Sequence, residues 1–387
     1  MNNINYLIID TEITIWNKGS PFDPRNFCVA LGIRTSNNTY MQYKMKFNVK
    51  FSPESNNTLV FFNAKFDLHW LRRLNIDFNG SPIWDCQLAE FILSNQTNKF
   101  PSLDETCKNY NLGEKIDVIK EKYWDNEIST EDIPKEELLE YLERDLELTE
   151  KLYLLQLEQF KLHPKKYELF KLQCEDLLLL EEMEWNGLFI DRQKLEEKLK
   201  QISKELLRLE HDILNYARYP DTINLQSGYH ISALLYGGII TTSKKIPIGV
   251  FKTGKRIGEA RFSVIETVWN FPRLIEPINK TELKKEGYWS TDEKVLRKLK
   301  PRKEVKGLIS MLLEYAKLEK LKNTYFQGLL NKMKENNWEY DNILHGNLNQ
   351  CAVVTGRLSS SNPNLQNMPE DIDEFLITRW NDDDDDN

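Results

Sequence analysis

The sequence predicts an α/β domain followed by a mostly helical region. Three observations predict it. Short apolar runs separated by polar turns open the chain, the apolar spacing becomes helical just after Asn63, and from about His163 long, charged, leucine-rich stretches dominate.

Residues 4–10, 28–34 and 39–47 read as three strands of a meander, with turns such as Ser36-Asn37-Asn38 between them. A fourth apolar run, Thr58-Leu59-Val60-Phe61-Phe62, ends at Asn63. From Ala64 the apolar residues Phe66, Leu68, Trp70, Leu71 and Leu74 follow helical spacing. Further helices are expected at 87–93, 103–110 and 135–157. A boundary is placed near Pro164, after which helices are expected at 167–185 and 192–216. Pro220 and Asn224-Leu225-Gln226-Ser227 interrupt them. Residues 237–288 read as mixed and loop-rich, and helix returns at 292–299 and 305–332.

At 387 residues the chain is long for one domain, so two or three are expected. Hydrophobic residues at 40% and charged residues at 29% describe a globular protein. No apolar run approaches the length of a membrane span, and Met1-Asn2-Asn3-Ile4-Asn5 lacks the regions of a signal peptide. Cys28, Cys86, Cys107, Cys174 and Cys351 are scattered, with no Cys-x-x-Cys pair. That pattern suits a reducing cytoplasm, without disulfides or a zinc site.

A net charge of −8 argues against indiscriminate polyanion binding, but local charge decides. Residues 294–306 carry Lys294, Arg297, Lys298, Lys300, Arg302, Lys303 and Lys306 against Glu304 alone. At the other end, 382–386 is an unbroken acidic run that repels itself and is not expected to fold alone.

The chemistry-bearing stretch is Leu7-Ile8-Ile9-Asp10-Thr11-Glu12. Side chains alternate along a strand, so Asp10 and Glu12 point the same way. Two such carboxylates are costly unless solvated, protonated or holding a cation. A strand running out into a polar turn is the bland alternative. Asp67 falls in the first turn of the helix after Asn63, where an acid also complements the helix dipole. Tyr141 and Asp145 share one face of a helix at spacing i, i+4, which is equally an ordinary helix surface. Asn63 is a candidate substrate contact or a helix cap. His69 is expected as a partly exposed helix residue.

Taken together, Asp10-Thr11-Glu12, Asn63-x-x-x-Asp67 and Tyr141-x-x-x-Asp145 resemble the DEDD-type 3′–5′ exonucleases, in the subclass with a tyrosine before the last aspartate. Trp84-Asp85-Cys86-Gln87-Leu88-Ala89 resembles the Asp-Thr-x-x-Ala segment of that family. The resemblance implies a ribonuclease H-like mixed sheet and two Mg2+ or Mn2+ ions held by Asp10, Glu12, Asp67 and Asp145. It gives Tyr141 the role of positioning the attacking water. Two divalent ions about 3.5–4 Å apart can clamp the attacking and leaving oxygens of a phosphodiester.

Farther on, Thr355-Gly356-Arg357-Leu358-Ser359-Ser360-Ser361-Asn362-Pro363-Asn364-Leu365-Gln366-Asn367-Met368-Pro369 is close to a signature of family A DNA polymerases, bacterial and bacteriophage. The resemblance implies that Arg357, Ser359, Ser360, Asn364 and Gln366 contact primer–template DNA. It also makes the helices at 192–216 and 305–332 a thumb whose basic face meets duplex phosphates. The expected division is an exonuclease domain at 1–163, thumb and connecting region at 164–340, and the start of a palm at 341–387. The palm and fingers motifs that follow this signature in the family are absent from the sequence. The expectation is therefore a proofreading exonuclease that polymerises only with a second polypeptide. A non-catalytic primer–template-binding subunit and an RNA-processing exonuclease are the alternatives.

Overall fold

The computed structural model describes residues 5–44, 57–115, 118–216 and 223–377. Strands β1 (Tyr6–Ile13), β2 (Cys28–Arg34) and β3 (Thr39–Tyr43) form the expected antiparallel meander. The third strand ends at Tyr43, and the rest of its expected span, 45–47, lies outside the described residues. Strand β4 (Thr58–Phe61) pairs parallel with the other edge of β1. After helix α1 (Ala64–Arg73), strand β5 (Ile83–Asp85) pairs parallel with β4. The sheet order is β3-β2-β1-β4-β5, which puts β1 in the centre. Its Ile8 and Ile9 are fully buried with Val29, Leu31, Val60 and Phe61, so one apolar core fixes the register of every strand.

Helices α2 (Cys86–Leu93), α3 (Leu103–Asn109), α4 (Val118–Lys122) and α5 (Lys135–Leu162) follow. In α5, Leu138, Leu142, Leu146, Thr149 and Tyr153 recur at helical spacing and are buried in the sheet's core. The carboxylate of Asp85 accepts from Gln87 N at 2.9 Å and Leu88 N at 3.4 Å, capping α2. It also accepts from Asn63 N at 3.1 Å and Ala64 N at 3.2 Å, so one buried acid fixes the starts of two helices.

Pro164 begins helix α6 (Pro164–Asn186) and does not mark a break between compact bodies. Phe170, Cys174 and Leu177 of α6 join the sheet's hydrophobic core. The α6 face also supplies Glu181 and Glu184, one turn apart, which corrects the expectation for His69. That side chain is buried at 4% exposure, with Nε2 2.9 Å from Glu184 Oε2 and Nδ1 3.0 Å from Glu181 Oε1. Arg72 reaches Glu181 at 2.6 Å and Lys65 reaches Glu184 at 2.6 Å, completing the ionic seam between α1 and α6. Glu184 Oε1 also accepts from Leu348 N. Truncating a buried charge strands its partners. Glu184→Ala is expected to cost about 3–5 kcal/mol, read from denaturant unfolding against wild type.

Strand β6 (Leu188–Phe189), helix α7 (Arg192–Tyr216) and helix α8 (Gly228–Tyr236) come next. The reading of 237–288 as loop-rich is overturned by a long antiparallel ribbon, β7 (Gly238–Val250) and β8 (Ala260–Phe271). The expected helix at 292–299 shortens to α9 (Glu293–Leu296). The expected helix at 305–332 is α10 (Lys303–Lys320) and α11 (Gln327–Glu335), joined by a π-helical stretch, Leu321–Phe326. Strands β9 (Ile343–Leu344), β10 (Asn347–Asn349) and β11 (Ser359–Ser361) close the description, β9 pairing with β6 and β10 with β11.

The chain forms two compact units, one of residues up to Arg192 with those from Leu329 onward, the other Gln193–Gly328. The first is an α/β unit around the five-stranded sheet. The second is helical apart from the ribbon.

Candidate metal centre

Strand alternation and one close helix–strand approach assemble this site. Asp10 and Glu12 lie on the same face of β1, where Asp10 pairs in register with Gly32 of β2. Helix α5 packs across these strands. A Cβ at Gly32 would lie 2.5 Å from Leu146 Cδ1 and 3.1 Å from Leu142 Cγ. Glycine here lets α5 come this near without displacing either leucine, and the approach delivers Asp145 to the strand. Carboxylate oxygens of Asp10, Glu12 and Asp145 lie within 4.8 Å of one another. Asp67, 2% exposed, faces the same strand and accepts a 2.6 Å hydrogen bond from Thr11 Oγ1. The structure thus brings three of the four expected acids into a tight cluster, while Asp67 is held by Thr11 and still feels the charge of Asp10.

Lys115 is a member that the sequence reading missed. Its Nζ lies 2.5 Å from Asp145 Oδ2 and 5.0 Å from the centroid of the Tyr141 ring. Nothing in Gly113-Glu114-Lys115 marks it, because its partner is 30 residues away in sequence on another element. Tyr141 is buried one turn before Asp145, edge-on to Trp124 at 5.5 Å.

The electrostatics follow from crowding acids in a dry place. Burial and then the Asp145 charge push Asp10 up to about 7. Glu12 is held well above the ordinary carboxylate range by burial, then by Asp10 and Asp145. Asp67 is raised by burial and by Asp10. Asp145 is raised by burial, against the opposing pull of Lys115 and Tyr141. Burial lowers Lys115, but Asp145 and Tyr141 outweigh it and leave its ammonium more stable than usual.

These shifts carry a sign. An acid whose folded pKa is raised binds more protons folded than unfolded, so stability falls as pH climbs from the unfolded value through the folded one. Without divalent metal, melting temperature is expected to drop between about pH 4 and pH 7, with Asp10 contributing across that window. Adding Mg2+ or Mn2+ at pH 8 is expected to restore it, as read by calorimetry.

The residues fit a divalent cation on their own chemistry. They offer hard oxygen donors, their mutual repulsion calls for positive charge, and the buried Oδ1 of Asp145 accepts no hydrogen bond among the described residues.

The expected DNA contacts fall on two segments of the chain, and Asn362 of the second lines the same cavity as Asn63. Asn63 is exposed, takes a left-handed φ of 65° and makes no side-chain cap to α1. It lines a cavity of about 530 Å³ with Lys65, Phe66 and Gln87. Arg357, Asn364 and Gln366 are exposed, the last donating to Leu358 O at 3.3 Å. Ser359 is half-buried on β11, opposite Asn349. Ser360 departs from expectation: its buried hydroxyl donates to Pro363 O at 3.3 Å and accepts from Leu365 N at 3.0 Å. It shapes the 360–365 loop from inside.

Two families match the chain. The one described as 3′–5′ exonuclease matches residues 1–158, and the one described as DNA polymerase family A matches 192–379. DNA polymerase I of Synechocystis sp. is 28% identical over 312 residues, covering 80% of this chain and 27% of that protein. DNA polymerase I of Bacillus subtilis is 27% identical over 325 residues, covering 81% of this chain and 30% of that protein. The chain therefore spans less than a third of the length of these relatives. Among solved structures, the polymerase domain of Pol1 from M. smegmatis, in complex with DNA primer–template and dNTP, has a similar fold. The TM-score is 0.61 at 17% identity, covering 95% of this chain and 52% of that one.

Proposed function

We propose that this chain, whose residues 192–379 match DNA polymerase family A and whose residues 1–158 match the 3′–5′ exonuclease family, removes nucleotides one at a time from the 3′ end of DNA, using two Mg2+ or Mn2+ ions. The observation that carries this reading is the convergence of Asp10, Glu12 and Asp145 within 4.8 Å, with Asp67 facing the same strand.

In this proposal Asp10, Glu12, Asp67 and Asp145 hold the metal. Bound there, divalent ions activate water and stabilise charge on the leaving 3′ oxygen. Tyr141 orients the attacking water. Burial, followed by Asp145 and Glu12, raises its hydroxyl above the ordinary tyrosine range, so it stays protonated and can donate at working pH. Lys115 holds Asp145 in place through their 2.5 Å pair. Asn63 contacts the entering strand at the mouth of its cavity. Single-stranded ends are the favoured substrate, because the terminal nucleotide must reach acids set against a buried strand.

In the same unit, Arg357, Ser359, Asn364 and Gln366 are proposed to grip primer–template DNA, while Ser360 shapes their loop. Arg357 suits phosphates or minor-groove acceptors, as a planar and permanently charged donor.

The test is digestion of a 5′-labelled single strand with Mg2+. A ladder descending by single nucleotides is expected, and chelation with EDTA should abolish it. Internal cuts, or faster digestion of RNA than of DNA, would overturn the reading.

A further inference from the structure

The β7–β8 ribbon is unlike the rest of its unit. At its base, Ile240, Thr242 and Phe271 are buried, and Trp269 Nε1 donates to Thr242 Oγ1 at 2.9 Å. Beyond the Thr242–Thr267 pair, residues 243–266 are exposed except for the half-buried Phe251 and Ser263. This outer stretch carries Lys244, Lys245, Lys252, Lys255, Arg256 and Arg261 against Glu259 and Glu266, in a chain whose net charge is −8. It also exposes Ile246, Ile248, Val250, Ile257, Phe262, Val264 and Ile265.

Register decides how these side chains are arranged. Lys244 pairs with Ile265 and Ile246 with Ser263, whereas Lys245 pairs with Val264 and Pro247 with Phe262. Cross-strand partners share a face and successive pairs alternate. Each face of the ribbon therefore presents one lysine beside apolar side chains. At the tip, Arg256 lies over the Phe251 ring at 4.5 Å, and Lys252 and Lys255 are exposed.

We propose that this ribbon enters a groove of duplex DNA and forms a second duplex-binding element, apart from the loop at 355–369. The inference rests on the DNA-directed reading above. A major groove about 12 Å wide admits a two-stranded ribbon, and its walls cover both faces at once. A flat protein surface would cover only one face and leave the other wet. At about 3.4 Å per residue, the stretch from Ser243 to Val250 reaches roughly 25 Å, more than the depth of the groove. The basic side chains then meet the phosphates on either side, where a polyanion complements their local positive charge.

The test uses the complete chain and a fluorescent duplex of about 30 base pairs, with affinity followed across about 50–200 mM salt. One variant combines Lys244→Ser, Lys245→Ser, Lys252→Ser, Lys255→Ser, Arg256→Ser and Arg261→Ser. A second joins Ser243 to Glu266 through an Asn-Gly turn, keeping the buried base of the ribbon. Both are expected to bind at least about tenfold more weakly near 150 mM salt. For every phosphate no longer neutralised, the slope of log affinity against log salt should also shrink by about 0.9. Digestion of a short single strand should match wild type in both, which shows that they are folded. Wild-type affinity and slope in both variants would overturn the proposal. So would an unchanged slope accompanied by loss of a multimer in sedimentation, which would make the ribbon a contact between copies. A wild type that fails to digest the single strand would sink the exonuclease reading and still leave the ribbon's salt slope to be read.

Discussion

Replacing Asp10 and Glu12 together by alanine is expected to lower metal-dependent 3′ digestion at least about a thousandfold, a loss of about 4 kcal/mol of transition-state stabilisation. The same change is expected to make the metal-free protein more stable above pH 7. The two effects share one cause. Asp10 and Glu12 are forced together with Asp145 in a poorly hydrated place, which raises Asp10 to about 7 and Glu12 well above its ordinary value. Removing two like charges relieves that repulsion, and it also removes two of the proposed oxygen ligands. Rates from a 5′-labelled strand and melting curves at pH 8 in EDTA check the two halves separately. A double variant that digests DNA at the wild-type rate would end the assignment of these acids. One that loses both activity and stability would show that they serve the fold.

Tyr141→Phe is the second large effect, expected to slow digestion about a hundredfold, at the lower end for loss of a positioned proton-transfer or orienting group. The ring stays, so its edge-on packing against Trp124 survives and stability should change little. The phenol's pKa is raised by burial, then by the Asp145 and Glu12 charges, so the proposed role is to orient water and not to act as a phenolate base. The loss is therefore expected in kcat with KM nearly constant, and without a tyrosine ionisation in the pH profile. Wild-type kcat in this variant would remove Tyr141 from the mechanism.

Much of this was legible in the sequence because it depends on local periodicity. The run Ile8-Ile9-Asp10-Thr11-Glu12 gives both a buried strand and two acids on one face, and the long leucine stripe of α5 gives a helix whose face includes Tyr141 and Asp145. What was missed comes from contacts distant in sequence or from patterns that do not resemble their usual setting. Lys115 acquires meaning only when α5 brings Asp145 to it. His69 looked exposed because α1 was read alone, and Glu181 and Glu184 of α6 cover it. The hydroxyl of Ser360 closes its own loop, a contact that the sequence reading did not foresee. The β7–β8 ribbon was hidden because its apolar and charged residues serve no buried face, so the usual inside–outside alternation that marks a strand is absent.

The central claim is that these acids form a centre for two divalent ions, and Mn2+ binding followed by electron paramagnetic resonance tests it most directly. The account predicts two Mn2+ ions bound per chain in the wild type, with binding weakened in Asp10→Ala. Binding that is absent from folded wild type, or that is unchanged in Asp10→Ala, would contradict it.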